Sequence, residues 1–281
     1  MNILVTGAGG MLARAVVTEA IVRGHHPHAL PRLELDVTDA VAVQEVMERL
    51  RPAAVIQCAA YTRVDDAETA EDVADAINAT GAHLVARAAA AVGARMLYPG
   101  TDYVFDGAAN RPYPPDAATA PLNAYGRSKL SGELAVLSEG GTVVRTSWLY
   151  GAGGPNFVRT ILRRARAGEP LRVVDDQRGS PTWTGSLAVI LLDLLEKEAP
   201  PAIYHATNSG ETTWFGFASE ALRLAGLETA LARADSAEFP RPAIRPAYSV
   251  LDCSDTEAIV GPIPDWRAAL ATAIALGGLD A

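Results

Sequence analysis

The sequence predicts an α/β protein: a doubly wound parallel sheet followed by a smaller C-terminal domain. A strand, a glycine turn and a helix open the chain, and strands then alternate with helices as far as residue 150. Beyond that point the alternation weakens while prolines and loops increase. We therefore predict a first domain over 1–150, completed by segments near 183–206 and 240–252. A substrate-binding domain is predicted to occupy most of 151–281.

The composition excludes several classes of partner. A formal net charge of −9 and a pI near 5.1 disfavour binding to nucleic acid or to an anionic membrane surface. Two cysteines provide no disulfide framework, no apolar stretch approaches membrane-spanning length, and no signal peptide is visible at the N-terminus. We therefore expect a cytoplasmic protein whose partners are small molecules.

The first strand and the turn after it indicate a dinucleotide site. Residues 2–6 are an apolar run, and Gly7-Ala-Gly-Gly10 follows directly before a helical pattern. Gly7 permits a tight turn, Gly10 lets a pyrophosphate approach the free N–H groups of the helix, and Ala13 packs the helix on the strand. The spacing departs from the strict G-x-G-x-x-G motif, so an ordinary turn is the alternative. The Rossmann interpretation predicts cofactor contacts at Gly7, Gly10, Met11 and Leu12.

Later strands and helices extend the same pattern. Ligands of a doubly wound sheet bind at the carboxyl ends of its strands, so the residues just past each strand are the candidates. Asp36 and Asp39 follow the second strand and are interpreted either as adenine contacts or as helix caps. Strands are predicted at 26–30, 53–57, 95–98 and 142–145, helices at 40–50, 70–91 and 125–137, and further cofactor contacts at Asp36, Val37, Ala59, Ala60 and Tyr61.

Position 32 bears on the choice of cofactor. An acidic residue at the end of the second strand would hold the free ribose hydroxyl of NAD, but the sequence has Pro31 and Arg32 there. A guanidinium can pair with the 2′-phosphate of NADP, so Arg32 favours NADPH. The alternative is that Arg32 is a solvated arginine without a ligand. NADH remains the alternative cofactor.

Tyr125 and Lys129 are the strongest candidates for chemistry. Of 24 basic residues only Lys129 and Lys197 are lysines. On a helix, positions i and i+4 share a face, so the ammonium would lie beside the phenol and favour the phenolate. The pKa of Tyr125 would then move toward neutrality, where a general acid works best. A packed tyrosine beside a solvated lysine is the alternative.

This pair, the glycine turn, Thr101 and several longer strings resemble the extended short-chain dehydrogenase/reductase superfamily. Within it, the chain is similar to the dTDP-4-dehydrorhamnose reductase family. Two positions depart from the family pattern: Ala13 replaces the usual glycine, and Gly100 stands where serine commonly precedes the catalytic threonine. The supporting strings are Leu35-Asp-Val-Thr-Asp39, Ala59-Ala-Tyr-Thr-Arg-Val-Asp-Asp-Ala-Glu68, Thr101-Asp-Tyr-Val-Phe-Asp-Gly107, Pro121-Leu-Asn-Ala-Tyr-Gly-Arg-Ser-Lys129, Arg145-Thr-Ser-Trp-Leu-Tyr-Gly151, Val174-Asp-Asp-Gln-Arg-Gly-Ser-Pro-Thr182 and Arg245-Pro-Ala-Tyr-Ser-Val-Leu-Asp252.

The resemblance implies a ketone reduction and gives three residues a role. Tyr125 would donate its proton to the substrate oxygen, Lys129 would bind the nicotinamide ribose and lower the pKa of Tyr125, and Thr101 would orient the carbonyl group. Hydride would pass from the reduced nicotinamide to C4 of a dTDP-4-keto-6-deoxy sugar, as in the last step of dTDP-L-rhamnose biosynthesis. The alkoxide that forms needs a proton donor and a hydrogen bond that strengthens in the transition state.

Substrate contacts are expected past the strand ends and in the C-terminal part. The string Thr101-Asp102-Tyr103 lacks the glutamate base of the nucleotide-sugar 4,6-dehydratases, which carry Thr-Asp-Glu. Trp148 is interpreted as a wall of the sugar site or as core, and Arg245 as a diphosphate contact or a structural ion pair. Trp214 is interpreted as a core anchor. The predicted substrate contacts are Thr62, Val64, Asp65, Thr101, Asp102, Tyr103, Trp148, Gln177 and Arg245.

No metal site is predicted from the residues. His25, His26 and His28 lie at a helix-to-strand turn without cysteine or carboxylate partners at ligand spacing, and they are interpreted as solvated. Some relatives bind magnesium at a subunit contact, but nothing in this sequence locates such a site, so a role for Mg²⁺ is left open. Cys58, at the end of a buried strand, is interpreted as a small core residue.

Two other functions are compatible with the sequence. Relatives reduce other dTDP-4-keto-6-deoxy sugars in antibiotic or glycan pathways, and the sequence does not fix the sugar or the product configuration. The regulatory subunit of methionine adenosyltransferase resembles the same family and acts through its partner, so fold alone does not settle function. The intact set of Thr101, Tyr125 and Lys129 favours catalysis. The resemblance implies a monomer or a homodimer.

Overall fold

A computed structural model describes residues 1–279 of the chain. Its strands are β1 (Asn2–Thr6), β2 (His26–Leu30), β3 (Ala54–Gln57), β4 (Arg95–Pro99), β5 (Thr142–Arg145), β6 (Leu149–Tyr150), β7 (Leu171–Val174), β8 (Arg178–Gly179), β9 (Thr182–Trp183), β10 (Ile203–His205), β11 (Thr212–Thr213) and β12 (Leu231–Ala234). Its α-helices are α1 (Met11–Val22), α2 (Ala40–Leu50), α3 (Val64–Ala67), α4 (Glu71–Asp75), α5 (Gly81–Ala91), α6 (Ala124–Ser138), α7 (Phe157–Arg166), α8 (Thr184–Glu196), α9 (Trp214–Leu224), α10 (Ser254–Val260) and α11 (Trp266–Ala275).

Six strands form one parallel sheet in the order β10-β5-β4-β3-β1-β2. Ile3, Leu4 and Val5 of β1 are fully buried because helices cover both faces of the sheet. Helices α1 and α8 pack on one face, and α2, α5 and α6 pack on the other. The predicted fold class, a doubly wound parallel sheet, is confirmed.

The helical stretch predicted over 70–91 is interrupted by a π-helical turn. Helix α4 ends at Asp75, the turn occupies Ala76–Thr80, and α5 follows. The turn carries Asn78 into the core, where its amide group accepts from the backbone N–H of Tyr61 at 2.8 Å and donates to the Tyr61 carbonyl at 3.0 Å and to Ser128 at 2.9 Å. These bonds compensate for the irregular backbone, and they tie the segment after β3 to α6.

Gly132 of α6 lies against this turn and leaves no room for a side chain. A Cβ atom there would lie 2.0 Å from the Asn78 carbonyl oxygen and 2.6 Å from the Tyr98 hydroxyl. Gly132→Ala is therefore expected to lower the net free energy of unfolding by about 1–3 kcal/mol. The steric clash costs more than the roughly 1 kcal/mol that alanine gains over glycine in a helix. Urea denaturation measures the change.

The matched control for Gly132→Ala is Gly9→Ala. A Cβ atom at Gly9 would meet nothing within 4 Å among residues 1–279, so this variant should unfold at the wild-type urea midpoint. A wild-type midpoint for Gly132→Ala as well would show that α6 does not approach the π-helical turn so closely.

The C-terminal part packs around a second core. Helices α7, α9 and α11 meet there over buried aromatic rings such as Tyr150, Phe217 and Trp266. The three pairs β6-β9, β7-β12 and β8-β11 form small separate sheets. Strand β10 instead pairs with β5, and α8 packs on α1, which supports our proposal that 183–206 completes the first domain.

The segment 240–252 contacts both parts of the molecule. Tyr248 forms a bridge with Arg178 of β8, and Leu251 forms one with Tyr113 of the first part. Its assignment to the first domain therefore stays a prediction. No helix within residues 1–279 is long and apolar enough to cross a membrane.

Candidate active site

A cavity of about 380 Å³ lies at the carboxyl ends of the central strands. Its walls are the β1-α1 turn, the segments after β2 and β3, the end of β4 and one face of α6. This is the edge of the sheet where doubly wound folds bind ligands. All predicted cofactor residues except Tyr61 line it: Gly7, Gly10, Met11, Leu12, Arg32, Asp36, Val37, Ala59, Ala60, Tyr125 and Lys129.

The glycine turn has the geometry that a dinucleotide requires. Gly7 has a φ of 67°, and a Cβ atom there would lie 2.6 Å from the backbone nitrogen of Ala59, so only glycine fits. Gly10 precedes α1, and no side chain within residues 1–279 caps that helix start. The first N–H groups of α1 therefore remain available to a pyrophosphate. Gln57 adds a buried side-chain amide on the cavity wall whose N and O atoms have no hydrogen-bond partner among the described residues.

The segment after β2 places Arg32 on the wall of this cavity. The Arg32 side chain is 76% exposed, and its Nε lies 3.1 Å from Asp36. Asp36 also accepts from the backbone N–H and the hydroxyl of Thr38, and these bonds hold its pKa below the ordinary value. Asp39 caps α2 by accepting from Val41 and Ala42. The helix-cap interpretation is thus the correct one for Asp39. Asp36 lines the cavity, and its carboxylate accepts from Thr38 in the turn that follows.

Tyr61, a predicted cofactor contact, does not line the cavity. Its side chain is buried against Ala67, Ala74 and Ala124. The reason is the bonding of its backbone to Asn78, which turns the segment after β3 toward α6. The next residue, Thr62, was predicted to contact the substrate and lines the same cavity.

Several lining residues were missed from the sequence. Gly100 and Thr146 follow β4 and β5, so the sheet-edge rule could have found them. Cys58 was interpreted as a core residue but borders the cavity; burial raises the pKa of its thiol to about 12, so it stays a thiol. The other missed lining residues are Leu35, Gln57, Ile77, Pro99 and Leu149.

Tyr125 and Lys129 line the cavity beside the end of β4, and Thr101 follows β4 closely in the chain. Thr101 precedes a 3₁₀ turn and accepts from the backbone N–H of Tyr103 at 3.2 Å, which fixes its hydroxyl. Asn123 caps α6, so Tyr125 lies in the first turn and Lys129 one turn later on the same face. The Thr101 hydroxyl lies near enough to Tyr125 to act on its pKa. The four-residue spacing thus places Tyr125 and Lys129 one turn apart on α6, while the Lys129 ammonium bonds to the Pro99 carbonyl.

Burial raises the pKa of Tyr125 to about 12, and the negative charges of Asp102 and Glu133 act in the same direction. The Thr101 hydroxyl opposes this shift but does not overcome it. The pKa of Tyr125 thus moves away from neutrality, opposite to the net shift expected from Lys129. The physical reason is that desolvation of the phenolate dominates.

The Lys129 ammonium bonds to the end of β4. Its Nζ donates to the Pro99 carbonyl at 2.7 Å and lies 3.8 Å from the centroid of the Tyr98 ring. Burial lowers the pKa of Lys129, and the nearby Glu133 carboxylate partly restores it. Glu133 in turn accepts from Arg145 at 3.0 Å, and both side chains are almost fully buried. Helix α6 thus carries a buried lysine and, one turn further on, a buried acid.

Asp102, predicted to contact the substrate, lies beneath the site. It is 2% exposed, and its Oδ1 accepts from the Thr101 hydroxyl at 3.2 Å. Burial raises its pKa to about 7, which a hydrogen bond from Ser249 opposes. The 3₁₀ turn directs this side chain into the core, so in this structure Asp102 supports Thr101 and is not exposed to a ligand.

A second group of side chains lies next to Tyr125. It consists of Tyr103, Asp65 and Arg245. The Tyr103 ring meets the Tyr125 ring edge-on, with 5.8 Å between centroids. Arg245 forms a bidentate pair with Asp65 at 2.8 and 2.9 Å, and its charge acts on the nearby Tyr103 hydroxyl. Val64 and Asp65 open α3. The ion pair is the alternative that the sequence left open for Arg245, and the diphosphate contact stays a prediction.

Trp148 and Gln177 are joined through Trp214. The Trp148 and Trp214 rings stack in parallel with 3.6 Å between centroids, and Trp214 Nε1 donates to Gln177 at 3.2 Å. Trp148 has a φ of 48°, a left-handed conformation that a bulky residue rarely adopts. Trp214, predicted to be a core anchor, also packs on Phe157 of the second core, so it links that core to Trp148.

The histidines around the start of β2 are interpreted from the sequence as solvated, which is wrong for His25. Its side chain is only 11% exposed, because its Nε2 lies 2.7 Å from a carboxylate oxygen of Glu196 at the end of α8. Among residues 1–279 no three histidine, cysteine or acidic side chains are grouped in a way that could hold a metal ion.

Comparisons with known proteins agree with this geometry. The family model for the RmlD substrate binding domain matches residues 1–277. A dTDP-4-dehydrorhamnose reductase from Streptomyces griseus is 48% identical over 276 residues, which cover 95% of this chain and 91% of that protein. A dTDP-4-keto-6-deoxy-D-glucose reductase from Streptomyces niveus is 42% identical over 284 residues and covers 99% and 98% of the two chains. The crystal structure of a dTDP-4-dehydrorhamnose reductase from Bacillus anthracis in complex with NADP has a TM-score of 0.94 at 36% identity, covering 98% and 99%.

The doubly wound sheet, the glycine turn and the Tyr125 and Lys129 pair on α6 define an enzyme of the extended short-chain dehydrogenase/reductase class. Within that class, the chain belongs to the dTDP-4-dehydrorhamnose reductase family, as the match over residues 1–277 and the relatives show. The resemblance found in the sequence is thereby confirmed, and the enzyme class is oxidoreductase.

Proposed function

We propose that the chain reduces the C4 ketone of dTDP-4-dehydro-L-rhamnose to dTDP-L-rhamnose, with NADPH as hydride donor and Tyr125 as proton donor. The observation that carries the proposal is that Tyr125 and Lys129 of α6 line the same cavity as the glycine turn, with Thr101 just past the end of β4. The relatives named dTDP-4-dehydrorhamnose reductase support the substrate class.

The proton is supplied by the chain itself. When bound, the reduced nicotinamide supplies the hydride, and the carbonyl oxygen of the sugar becomes an alkoxide. Because the pKa of Tyr125 is raised to about 12, the phenol keeps its proton at neutral pH and gives it to a stronger base such as that alkoxide. Thr101 orients the phenol and places a hydroxyl beside the developing charge.

Lys129 is proposed to bind the nicotinamide ribose. An ammonium group has three donors, and the bond to the Pro99 carbonyl uses one of them. The remaining donors lie on the cavity wall, where ribose hydroxyls would accept. The substrate is proposed to contact Thr62, Val64 and Tyr103 on the near side of the site. Trp148 and Gln177 are proposed as contacts from the C-terminal part.

The choice of NADPH depends on Arg32. Its exposed guanidinium is paired with a single carboxylate, that of Asp36, and is free to turn toward a 2′-phosphate. Arg32→Ala is expected to weaken NADPH binding by about 10- to 100-fold, the worth of a charge-assisted contact, and to spare NADH. Calorimetric titration with both cofactors measures this, and Arg49→Ala on α2 is the matched surface control. Equal losses for NADPH and NADH would remove Arg32 from cofactor selection.

A second candidate is the reduction of another dTDP-4-keto-6-deoxy sugar. The observation that favours it is the 42% identity to the Streptomyces niveus reductase, whose name gives a different sugar. NADPH consumption with each dTDP-4-keto sugar, followed by NMR of the product, distinguishes the two. Faster turnover of the dehydrorhamnose derivative and a rhamno-configured product support the first proposal. Preference for another sugar overturns it in favour of the second.

A regulatory subunit that binds NADP without turnover is the remaining alternative. It predicts cofactor binding with no NADPH consumption on any dTDP-4-keto sugar. The buried Thr101 hydroxyl near Tyr125, and the position of Tyr125 and Lys129 on the cavity wall, favour catalysis over this alternative.

A further inference from the structure

Residues 241–246 form a strap between the C-terminal part and the first part of the molecule. After the strap, residues 247 and 249 hydrogen-bond the backbone of Arg178 on β8. The strap itself contacts the first part at Asp65 of α3, at Asn123 before α6 and at Gly107, on which Pro246 packs. It therefore bridges the two parts of the molecule on the side of the site where Tyr103 lies.

The carboxylate of Asp65 holds this strap. Its two oxygens accept from Arg245 at 2.8 and 2.9 Å, from Arg241 at 3.2 Å and from the Ala243 N–H at 3.3 Å. The Asp65 and Arg245 side chains are only 25% and 19% exposed, and a bidentate pair that is partly buried contributes more than a solvated one. Hydrogen bonds from Arg245 hold the pKa of Asp65 at about 2, so the pair stays ionised at neutral pH.

Two contacts connect the strap to the surroundings of Tyr125, the proposed proton donor. The Arg245 guanidinium lies near enough to the Tyr103 hydroxyl for its charge to act on it, and the Tyr103 ring lies edge-on to Tyr125. The Ile244 carbonyl accepts from Asn123 Nδ2 at 2.8 Å, while Asn123 Oδ1 caps α6 by accepting from the Gly126 N–H at 2.8 Å. A single asparagine thus both holds the strap and caps the helix that carries Tyr125.

We infer that Asp65 is a positioning residue: it clasps the strap to the first part of the molecule and thereby fixes Tyr103 and the start of α6 beside Tyr125. Without the carboxylate, Arg245 loses its ion-pair partner, so its position beside Tyr103 is no longer fixed. The strap then keeps its contacts with Asn123 and Gly107. The kinetic consequence rests on the proposed function, whereas the clasp itself is present in the empty protein.

Amide hydrogen exchange on the empty protein tests the clasp without reference to turnover. Asp65→Asn keeps the side-chain shape and removes its charge. Exchange in residues 241–246 and at the Tyr103 and Gly126 amides is expected to become faster by about tenfold, the order expected for losing one charge-assisted pair, while β1 is unchanged. Arg241→Gln removes one weaker contact with the same carboxylate and should change exchange by less than about twofold. Unchanged exchange in Asp65→Asn overturns the clasp.

Kinetics with the dTDP-4-keto sugar test whether the clasp acts through Tyr103. Asp65→Asn is expected to lower kcat/KM by about tenfold or more, and Asp65→Glu to recover most of that loss. NADPH affinity should not change, because the glycine turn does not contact the strap. In a Tyr103→Phe background the loss should shrink below about threefold, because the hydroxyl that the clasp fixes is gone.

Equal losses from Asp65→Asn in both backgrounds overturn the coupling through Tyr103. If the wild-type chain does not reduce the sugar, the proposed function fails, and the exchange experiment alone decides whether Asp65 fixes Tyr103 and the start of α6.

Discussion

Tyr125→Phe is expected to lower turnover of the dTDP-4-keto sugar by about 100-fold or more, the usual worth of a positioned general acid. Phenylalanine keeps the ring and its edge-on contact with Tyr103 and removes only the hydroxyl that Thr101 orients. NADPH affinity should stay nearly unchanged, because the glycine turn and the segments after β2 and β3 are untouched. Steady-state NADPH oxidation and calorimetric NADPH titration measure the two quantities separately.

The matched control is Tyr150→Phe. Tyr150 is fully buried, and its hydroxyl has no hydrogen-bond partner among the described residues, so removing it should leave turnover within about twofold of wild type. The pKa of about 12 gives a further check. Wild-type turnover should not depend on the ionisation of Tyr125 through the neutral range, and it should fall only as the pH approaches that value.

Lys129→Met is expected to weaken NADPH binding and turnover together, each by about tenfold or more. Methionine fills similar volume, but it supplies neither a donor for the ribose nor a positive charge beside the site. Lys197→Met is the control: Lys197 is the only other lysine, and it donates to the Ile259 and Val260 carbonyls on the surface. A variant at position 129 that binds NADPH normally would remove Lys129 from the cofactor site.

Stability measurements on the same variant test the burial of the ammonium. Since burial lowers the pKa of Lys129, the unfolded chain binds more protons than the folded one at every pH between that lowered value and 10.5. The wild type should therefore gain stability as the pH rises through this window. Lys129→Met should show a flatter curve, whereas Lys197→Met should follow the wild type.

Local patterns were enough to predict the first half of the fold. Strands β1, β2 and β5 occupy the predicted residues because each is a short run between turn or cap residues that end it. Helix α2 begins where predicted because Asp39 caps it. Tyr125 and Lys129 share a helix face because a four-residue spacing fixes that relation whatever surrounds it.

The errors fall where distant residues decide the structure. Asn78 bonds to Tyr61 and Ser128, and this pairing across 17 and 50 positions produces the π-helical turn and buries Tyr61. The direction of Lys129 depends on the Pro99 carbonyl, 30 positions away. Trp148 meets Trp214 only because the second core brings α9 to the end of β5. Hydrophobic period and motif spacing carry no information on such contacts.

Turnover of dTDP-4-dehydro-L-rhamnose by the wild-type chain and by Tyr125→Phe, followed through NADPH absorbance in parallel reactions, is the decisive measurement. The proposed function requires NADPH consumption by the wild type that depends on the sugar, and a loss of about 100-fold or more in the variant despite normal NADPH binding. Equal turnover by both proteins would contradict the assignment of Tyr125 as proton donor, and no turnover by either would contradict the reductase activity itself.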